Sequence, residues 1–115
     1  MVAGAAPTGW IPRRGEVYFA PVDKRRPVVI VSRDSLNTYS FDVCVVPLTR
    51  VRRAAFAFRP FISAAAGGLR SDSWAKFDQI ATIPKTALEY PPVGAITDRT
   101  LMEVAEAIKL ALDLM

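Results

Sequence analysis

The chain has 115 residues, with 15 lysines and arginines, 11 aspartates and glutamates and no histidine. This length suits one domain, and a hydrophobic content of 51% excludes a globally disordered chain. One cysteine and no histidine exclude a disulfide framework and an ordinary zinc site. No apolar run approaches the roughly 20 residues of a membrane span, and the N-terminus does not resemble a signal peptide. We therefore expect a cytoplasmic protein that uses no cofactor, metal or membrane.

The predicted elements begin after residues 1–12, which are rich in Ala, Gly and Pro and are predicted to form a flexible tail. Residues 13–115 are predicted to form one domain. Its strands are rich in Val, Ile, Phe and Tyr. In chain order they are predicted at residues 15–21, 27–32, 41–48, 55–59, 71–77 and 79–83, with a Gly-Gly turn at 67–68. With short connections and no helix predicted in this part, the pattern indicates a curved, mostly antiparallel sheet or small barrel.

The C-terminal segment has the periodicity of an amphipathic helix that begins near Thr97-Asp98. Its apolar arc is wider than a single core contact needs. Either the helix is deeply buried or its surplus face meets another chain, and a homodimer is the preferred interpretation. The apolar positions fall in two stripes, the first with Leu101, Val104, Ala105, Ile108 and Leu112 and the second with Ala107, Leu110 and Leu114.

Positive charge is concentrated between Lys24 and Arg59, where eight basic and two acidic residues give a net charge of +6. From Thr86 to the C-terminus, two basic and five acidic residues give −3. Arginine dominates the basic segment, and its planar guanidinium favours bidentate contacts with phosphate. The charge pattern predicts attraction to nucleic acid, and it would equally suit an acidic protein partner.

Two polar side chains stand where predicted buried strands reach the surface. Arg26 precedes Pro27, which biases Arg26 toward extended backbone and holds its side chain at the start of a strand. Thr49 ends the strand that contains Val46-Pro47-Leu48. Each has a plainer interpretation, because an arginine here could be a solvated surface charge and a strand-end threonine often caps a turn.

A series of short motifs resembles, in the same order, the MazF/PemK family of bacterial toxins. The resemblance covers about residues 13–114. It implies a mainly β, SH3-like barrel of about six strands, of the MazF/CcdB type, with a C-terminal helix. The motifs are Arg14-Gly15-Glu16-Val17-Tyr18, Arg26-Pro27-Val28-Val29-Ile30-Val31-Ser32, Val46-Pro47-Leu48-Thr49, Asp72-Ser73, Asp78-Gln79-Ile80 and the Leu-rich final helix.

The same resemblance implies a function and partners. The protein would be the homodimeric toxin of a type II toxin–antitoxin pair, a metal-independent endoribonuclease that cleaves single-stranded RNA, often mRNA, at short sequences. The RNA's own 2′-hydroxyl would attack the phosphodiester, so the enzyme must align that attack and stabilise the charged phosphorane. A cognate antitoxin would occlude the same groove with an acidic C-terminal segment.

By position, the family's active-site arginine and threonine fall on Arg26 and Thr49. Arg26 is expected to stabilise charge, because a pKa above about 12 makes arginine a poor general acid. The Kid-like branch also uses an Arg-x-Asp element, which falls on Arg70 and Asp72, whereas the histidine of that branch has no counterpart here. Asp72 would either take a proton or orient Arg70, and a surface ion pair is the plain alternative.

Single-stranded RNA binds to surfaces that combine cations with aromatic rings. Trp74 is the strongest stacking candidate, because it alternates with Ala75 beside the Arg70/Asp72 element. The other expected RNA contacts are the cations Arg25, Arg50, Arg52 and Arg53, with Tyr39, Phe56, Phe58 and Phe61 as further aromatic candidates.

Two alternative functions stay open. One is a non-catalytic RNA-binding barrel, because Arg26 and Thr49 would serve binding almost as well as cleavage. The other is a toxin that acts on a protein target, as gyrase poisons of the CcdB type do. Those rely on a C-terminal Trp-Gly-Ile ending, and this chain ends Leu112-Asp113-Leu114-Met115, which argues against that mode.

Overall fold

The structure is a computed structural model that describes residues 6–51 and 59–114. Within them, no helix is long and apolar enough to cross a membrane. The elements in chain order are β1 (Glu16–Val22), β2 (Lys24–Ile30), α1 (Asp34–Tyr39), β3 (Asp42–Thr49), β4 (Phe61–Ile62), α2 (Ala64–Gly67), β5 (Ser73–Ala75), β6 (Ala81–Pro84), a 3-10 turn (Lys85–Ala87), β7 (Glu89–Ala95) and α3 (Asp98–Ala111).

The strands form one curled antiparallel sheet in the order β4-β5-β3-β2-β1-β7, with β6 also paired to β3. Strand β3 is the centre of this arrangement, because it pairs with β2, with β6 and, at its end, with β5. The predicted mainly β fold with a C-terminal helix is confirmed. The curl brings the β1–β2 hairpin close to the end of β3.

Both faces of the sheet are buried along the last three residues of β2, as their β-branched run predicts. Val28, Val29 and Ile30 have no exposed surface. Val29 belongs to a cluster that α3 covers through Leu101 and Val104. Val28 and Ile30 belong to the second cluster, on the opposite face, together with Tyr18, Ala20, Val43, Val45, Ile83 and Leu88.

Strand β2 begins three residues before its predicted start, and the shift matters for the site. The connection from β1 is the single residue Asp23, which has a φ of 68°. Val22 and Lys24 face each other directly across this hairpin. Arg25 and Arg26 are therefore strand residues, and their side chains leave the sheet on opposite faces.

The prediction that the first part of the chain has no helix was wrong. Helix α1 has only six residues, too few for a clear apolar periodicity. The buried side-chain amide of Asn37 donates to Ser32 O and so connects α1 to the residues that follow β2. Helix α2 is one turn, capped by Ser63, whose Oγ accepts from the N–H of Ala66. Its C-cap, Gly68, has a φ of 68° and stands at the predicted Gly-Gly turn.

Strand β7 was not predicted, because Pro91 and Pro92 interrupt its pattern. Proline is tolerated here because β7 is the edge strand beside β1, where a missing ladder donor costs little. Of the strand predicted at 55–59, residues 55–58 lie outside the described part of the chain, and Arg59 lies in a bend.

Helix α3 begins as predicted, with Thr97 as N-cap accepting from the N–H of Thr100. Leu101, Val104 and Ala107 are its buried side chains, so deep burial of the whole apolar arc was the wrong alternative. More than half of the surface of Met102, Leu110, Leu112 and Leu114 is exposed. The helix and the residues that follow it therefore leave large apolar side chains exposed in the single chain.

The end of the predicted tail contacts the domain. Trp10 Nε1 donates to the hydroxyl of Tyr18 at 3.2 Å, and the Trp10 ring meets those of Tyr18 and Tyr90 edge-on. Packing of the domain thus extends back at least to Trp10.

Candidate active site

Arg26, Thr49 and Trp74 lie in one row across three strands. Thr49 of β3 faces Trp74 of β5 directly. On the other side of β3, Pro47 faces Val28 of β2, and Arg26 precedes Val28 by two residues, so it lies on the same face of the sheet. Arg26 and Thr49 line the same groove. Directly opposed residues share a face of the sheet. The fold thus brings the two predicted catalytic residues together.

The side chain of Arg26 is largely buried and forms one ion pair. Its side chain is 13% exposed, and its Nη2 donates to Asp23 Oδ2 at 2.9 Å. Its Nε is buried and has no hydrogen-bond partner among the described residues. An unused buried donor costs about 1–3 kcal/mol, so the guanidinium is prepared to receive an anion that would use it.

Lys76 and Arg59 are two further cations near Arg26, and the sequence analysis missed Lys76. Lys76 lies on the same face as Arg26, since it is two residues beyond Trp74 and its N–H donates to Pro47 O. Partial burial, followed by the positive charges of Arg26 and Arg59, lowers the pKa of the Lys76 ammonium. The alternation Trp74-Ala75-Lys76 in the sequence was the signal that could have identified this cation.

Two carboxylates partly balance these three cations. Asp23 and Asp78 both act on the Lys76 pKa in the opposite direction. Arg59, which is almost fully buried, has its Nη2 3.8 Å from Asp78 Oδ1. We call Arg26, Arg59, Lys76, Asp23 and Asp78 the charged cluster. Its formal charge is +1, which is suited to one phosphodiester group.

The Thr49 hydroxyl caps a turn as an acceptor, and its hydrogen remains available to donate. Its Oγ accepts from the N–H of Val51 at 3.1 Å, which is the plain role foreseen for a strand-end threonine. Within the described residues the hydroxyl hydrogen has no acceptor. It is therefore available to a phosphate oxygen or to an attacking hydroxyl beside Arg26.

An open groove of about 660 Å³ adjoins this row. None of its described lining residues is acidic, so the charged side chains that a polyanion would meet in the lining are all positive. The hairpin, the end of β3 and the segment after α2 supply the cations of the lining, which are Lys24, Arg25, Arg26, Arg50 and Arg70. Four of these are predicted site residues, and Lys24 is an addition.

Arg25 forms an ion pair with a carboxylate of the same chain. Its Nε and Nη2 donate to the two oxygens of Glu89 at 2.7 and 2.9 Å, and this bond lowers the pKa of Glu89. The guanidinium carbon also lies 4.2 Å from the centre of the Phe19 ring. Its charge is largely neutralised, so Arg25 offers a flat surface to the groove rather than a free cation.

Arg70 and Asp72 make different contacts in the structure. Arg70 lines the groove, whereas Asp72 Oδ1 accepts from the N–H of Ala64 at the start of α2, at 2.8 Å. No ion pair joins Arg70 to Asp72 in the described part of the chain. The chemical role predicted for Asp72 stays a prediction, and its observed contact is structural.

The other predicted RNA contacts are placed unevenly. The Trp74 ring lies against that of Phe61, with 5.6 Å between centroids, and both residues remain partly or largely exposed. Tyr39 is highly exposed on α1 and does not line the groove. Arg52, Arg53, Phe56 and Phe58 lie outside the described residues.

Residues 13–112 match the family model of the PemK-like, MazF-like toxin of type II toxin–antitoxin systems. The chain belongs to this family. The predicted resemblance is thereby confirmed.

Individual members of the MazF/PemK family resemble this chain in sequence and in fold. It is 32% identical to "Endoribonuclease MazF9" of Mycobacterium tuberculosis, over 89% of this chain and 97% of that protein. The solved structure "Mycobacterium tuberculosis toxin MazF-mt6" superposes with a TM-score of 0.77 at 31% identity, covering 87% of this chain and 98% of that one. A mycobacterial "Endoribonuclease in complex with its cognate antitoxin" superposes with a TM-score of 0.75 at 26% identity, covering 91% and 96%.

The site of this MazF/PemK chain offers cations and a hydroxyl rather than a metal centre. Among residues 6–51 and 59–114, no three thiol or carboxylate groups come together in a way that would hold a metal ion. The arrangement can bind a phosphodiester, stabilise negative charge on it and donate one hydrogen bond from Thr49.

Proposed function

We propose that this protein is the toxin of a type II toxin–antitoxin system and that it cleaves single-stranded RNA as a sequence-selective endoribonuclease. The observation that carries the proposal is a groove lined by both Arg26 and Thr49, in a chain of a toxin family, where the buried Nε of Arg26 has no hydrogen-bond partner among the described residues. Relatives named endoribonucleases support the reaction class.

In the proposed reaction the 2′-oxygen of one nucleotide forms a bond to the adjacent phosphorus, and the bond from phosphorus to the 5′-oxygen breaks. The products are a 2′,3′-cyclic phosphate and a 5′-hydroxyl end. Arg26 and Lys76 stabilise the negative charge that grows on the phosphorane, and Thr49 donates to a phosphate oxygen. The proton lost by the 2′-hydroxyl and the proton gained by the leaving oxygen leave the overall charge unchanged.

Arg26 is assigned to charge stabilisation rather than proton transfer, because an arginine keeps its proton at neutral pH. Asp72 stays a candidate proton acceptor through its second oxygen, since Oδ1 is engaged with Ala64 N. Arg70 and Arg50, which line the groove, are proposed to bind flanking phosphates.

The proposed protein partners are a second copy of the chain and a cognate antitoxin. The exposed apolar side chains of α3 and of the residues just after it favour a homodimer, because a monomer gains nothing from leaving four large apolar side chains in water. The groove, with five cations and no described acidic lining, suits an acidic antitoxin segment that would compete with RNA. The proposed location is the cytoplasm, where a toxin would meet mRNA.

A non-catalytic RNA-binding barrel is the main alternative, and one experiment separates it from a nuclease. A single-stranded RNA and its fully 2′-O-methylated copy are each incubated with the protein. A nuclease that uses the 2′-hydroxyl binds both and cuts only the first, leaving cyclic phosphate ends. Binding of both without any cut would support the barrel, and binding of neither would leave a protein target as the remaining explanation.

A further inference from the structure

The tip of the β1–β2 hairpin places a carboxylate on the proposed catalytic arginine. Asp23 is the single residue that connects the two strands, and its Oδ2 accepts from Arg26 Nη2 at 2.9 Å. The Asp23 side chain is 78% exposed, whereas that of Arg26 is 13% exposed. The carboxylate therefore covers an otherwise buried guanidinium from the solvent side.

The turn itself does not require the charge of Asp23. A φ of 68° lies in the left-handed region, which glycine, asparagine and aspartate occupy more readily than other residues. Asparagine or glycine would close the same hairpin. The specific contribution of the carboxylate is its ion pair with Arg26.

A carboxylate and a phosphodiester use the same guanidinium donors. Both carry one negative charge, so a phosphate that replaces the Asp23 carboxylate leaves the charge of the cluster unchanged. The exposed Asp23 side chain can rotate into water while the pairing of Val22 with Lys24 keeps the hairpin closed. The exchange thus needs a side-chain movement only.

We propose that Asp23 is an internal competitor for RNA: its carboxylate occupies Arg26 in the free protein and is displaced by the phosphate of the bound strand. This inference rests on the proposed function, because it takes RNA as the ligand of Arg26. Asp23 then sets how tightly RNA binds and takes no part in the chemical step. A residue that instead held Arg26 in its reactive orientation would lower the rate when removed.

The test compares Asp23→Asn with wild type, and with Asp42→Asn as a matched control. Asp42 is exposed at the start of β3, outside the charged cluster, so its variant measures the general effect of removing one negative charge. The dissociation constant is measured with a 2′-O-methylated RNA, and the single-turnover cleavage rate with saturating enzyme. Asp23→Gly repeats the measurement with another residue that suits the positive φ.

We expect Asp23→Asn to tighten RNA binding by about two- to fivefold beyond Asp42→Asn, the range of a partly exposed ion pair. The saturating rate should not fall, and in an Arg26→Gln background the two asparagine variants should bind RNA alike. Equal tightening in both single variants, or a lower saturating rate in Asp23→Asn, would overturn the inference while the proposed function stands. If the wild-type protein neither binds nor cuts RNA, both this inference and the proposed function are wrong.

Discussion

Lys76 and Arg26 lie close enough for the positive charge of Arg26 to lower the pKa of the Lys76 ammonium. Two like charges on one face of a sheet repel each other, and partial burial of Lys76 adds to the cost. The fold keeps Lys76 and Arg26 together although Asp23 and Asp78 only partly offset the repulsion between the two positive charges. Such a site gains free energy when an anion binds, which is the central physical reason for placing a phosphate there.

Lys76 should set the alkaline limit of RNA cleavage. Its protonated form is the one that binds phosphate, so activity falls as the pH rises through its pKa, which is lowered below the ordinary value of about 10.4. Lys76→Gln should reduce cleavage roughly 10- to 100-fold, the effect of losing one hydrogen bond from a charged group. Lys76→Arg should keep activity to higher pH. A pH–rate profile of the three proteins tests this, and identical alkaline limbs for wild type and Lys76→Arg would remove Lys76 from the site.

The pKa of Lys76 should respond to Arg26 without any RNA present. Arg26→Gln removes one of the two neighbouring charges that lower this pKa, so the pKa should rise, while burial keeps it below the ordinary value. An NMR titration of the Lys76 side chain measures the shift. Arg33→Gln, an exposed residue before α1, is the control and should leave Lys76 unchanged. An unmoved Lys76 in Arg26→Gln would show that the two groups do not interact.

Thr49 should be required for its hydroxyl. Thr49→Val keeps the shape of the side chain but removes the donor proposed for the phosphate and the acceptor for Val51 N. We expect the rate to fall about tenfold or more and the unfolding free energy to fall by about 0.5–1.5 kcal/mol. Thr49→Ser is the matched control and should retain most of the rate. A Thr49→Val protein with the wild-type rate would reduce Thr49 to a turn cap.

Tyr18 should make the fold sensitive to alkaline pH. Burial raises the pKa of its phenol well above the ordinary value of about 10, and its hydroxyl donates to Glu16 Oε1 at 2.9 Å. Between the unfolded and folded pKa values the native state holds a proton that the unfolded state has lost. Stability therefore decreases as the pH rises above about 10.

Denaturant unfolding at neutral and alkaline pH measures this effect. Tyr18→Phe should lose about 1 kcal/mol at neutral pH, from the hydrogen bonds with Trp10 and Glu16, and should lose less further stability above pH 10 than wild type does. Parallel pH curves for the two proteins would mean that Tyr18 ionises as readily in the native state as in the unfolded chain.

Much of this fold follows from local patterns in the sequence. The β-branched run at Val28 to Ile30 favours a strand buried on both faces, and Thr97 begins a helix with a clear apolar stripe. Strand β7 was missed because Pro91 and Pro92 interrupt its strand pattern. The sheet tolerates these prolines because β7 is an edge strand. Local propensity carries no information about which strands end up at an edge.

The candidate site was predictable where motifs and register agree. Arg26 and Thr49 came from their motifs, and the pairing of β2 with β3 brings both to the lining of one groove. Arg70 and Asp72 had plausible spacing, but α2 takes the Asp72 carboxylate as a backbone partner. Lys76 was missed because its significance depends on its distance from Arg26, and that distance is a product of the sheet.

The most direct measurement is to incubate the purified protein with a long single-stranded RNA in EDTA and to map every fragment end. We predict discrete cuts at a short recurring sequence with 2′,3′-cyclic phosphate ends, no cuts by Arg26→Gln, and wild-type cuts by Arg33→Gln. RNA left intact until a divalent metal is supplied, or Arg26→Gln cutting at the wild-type rate, would contradict the account.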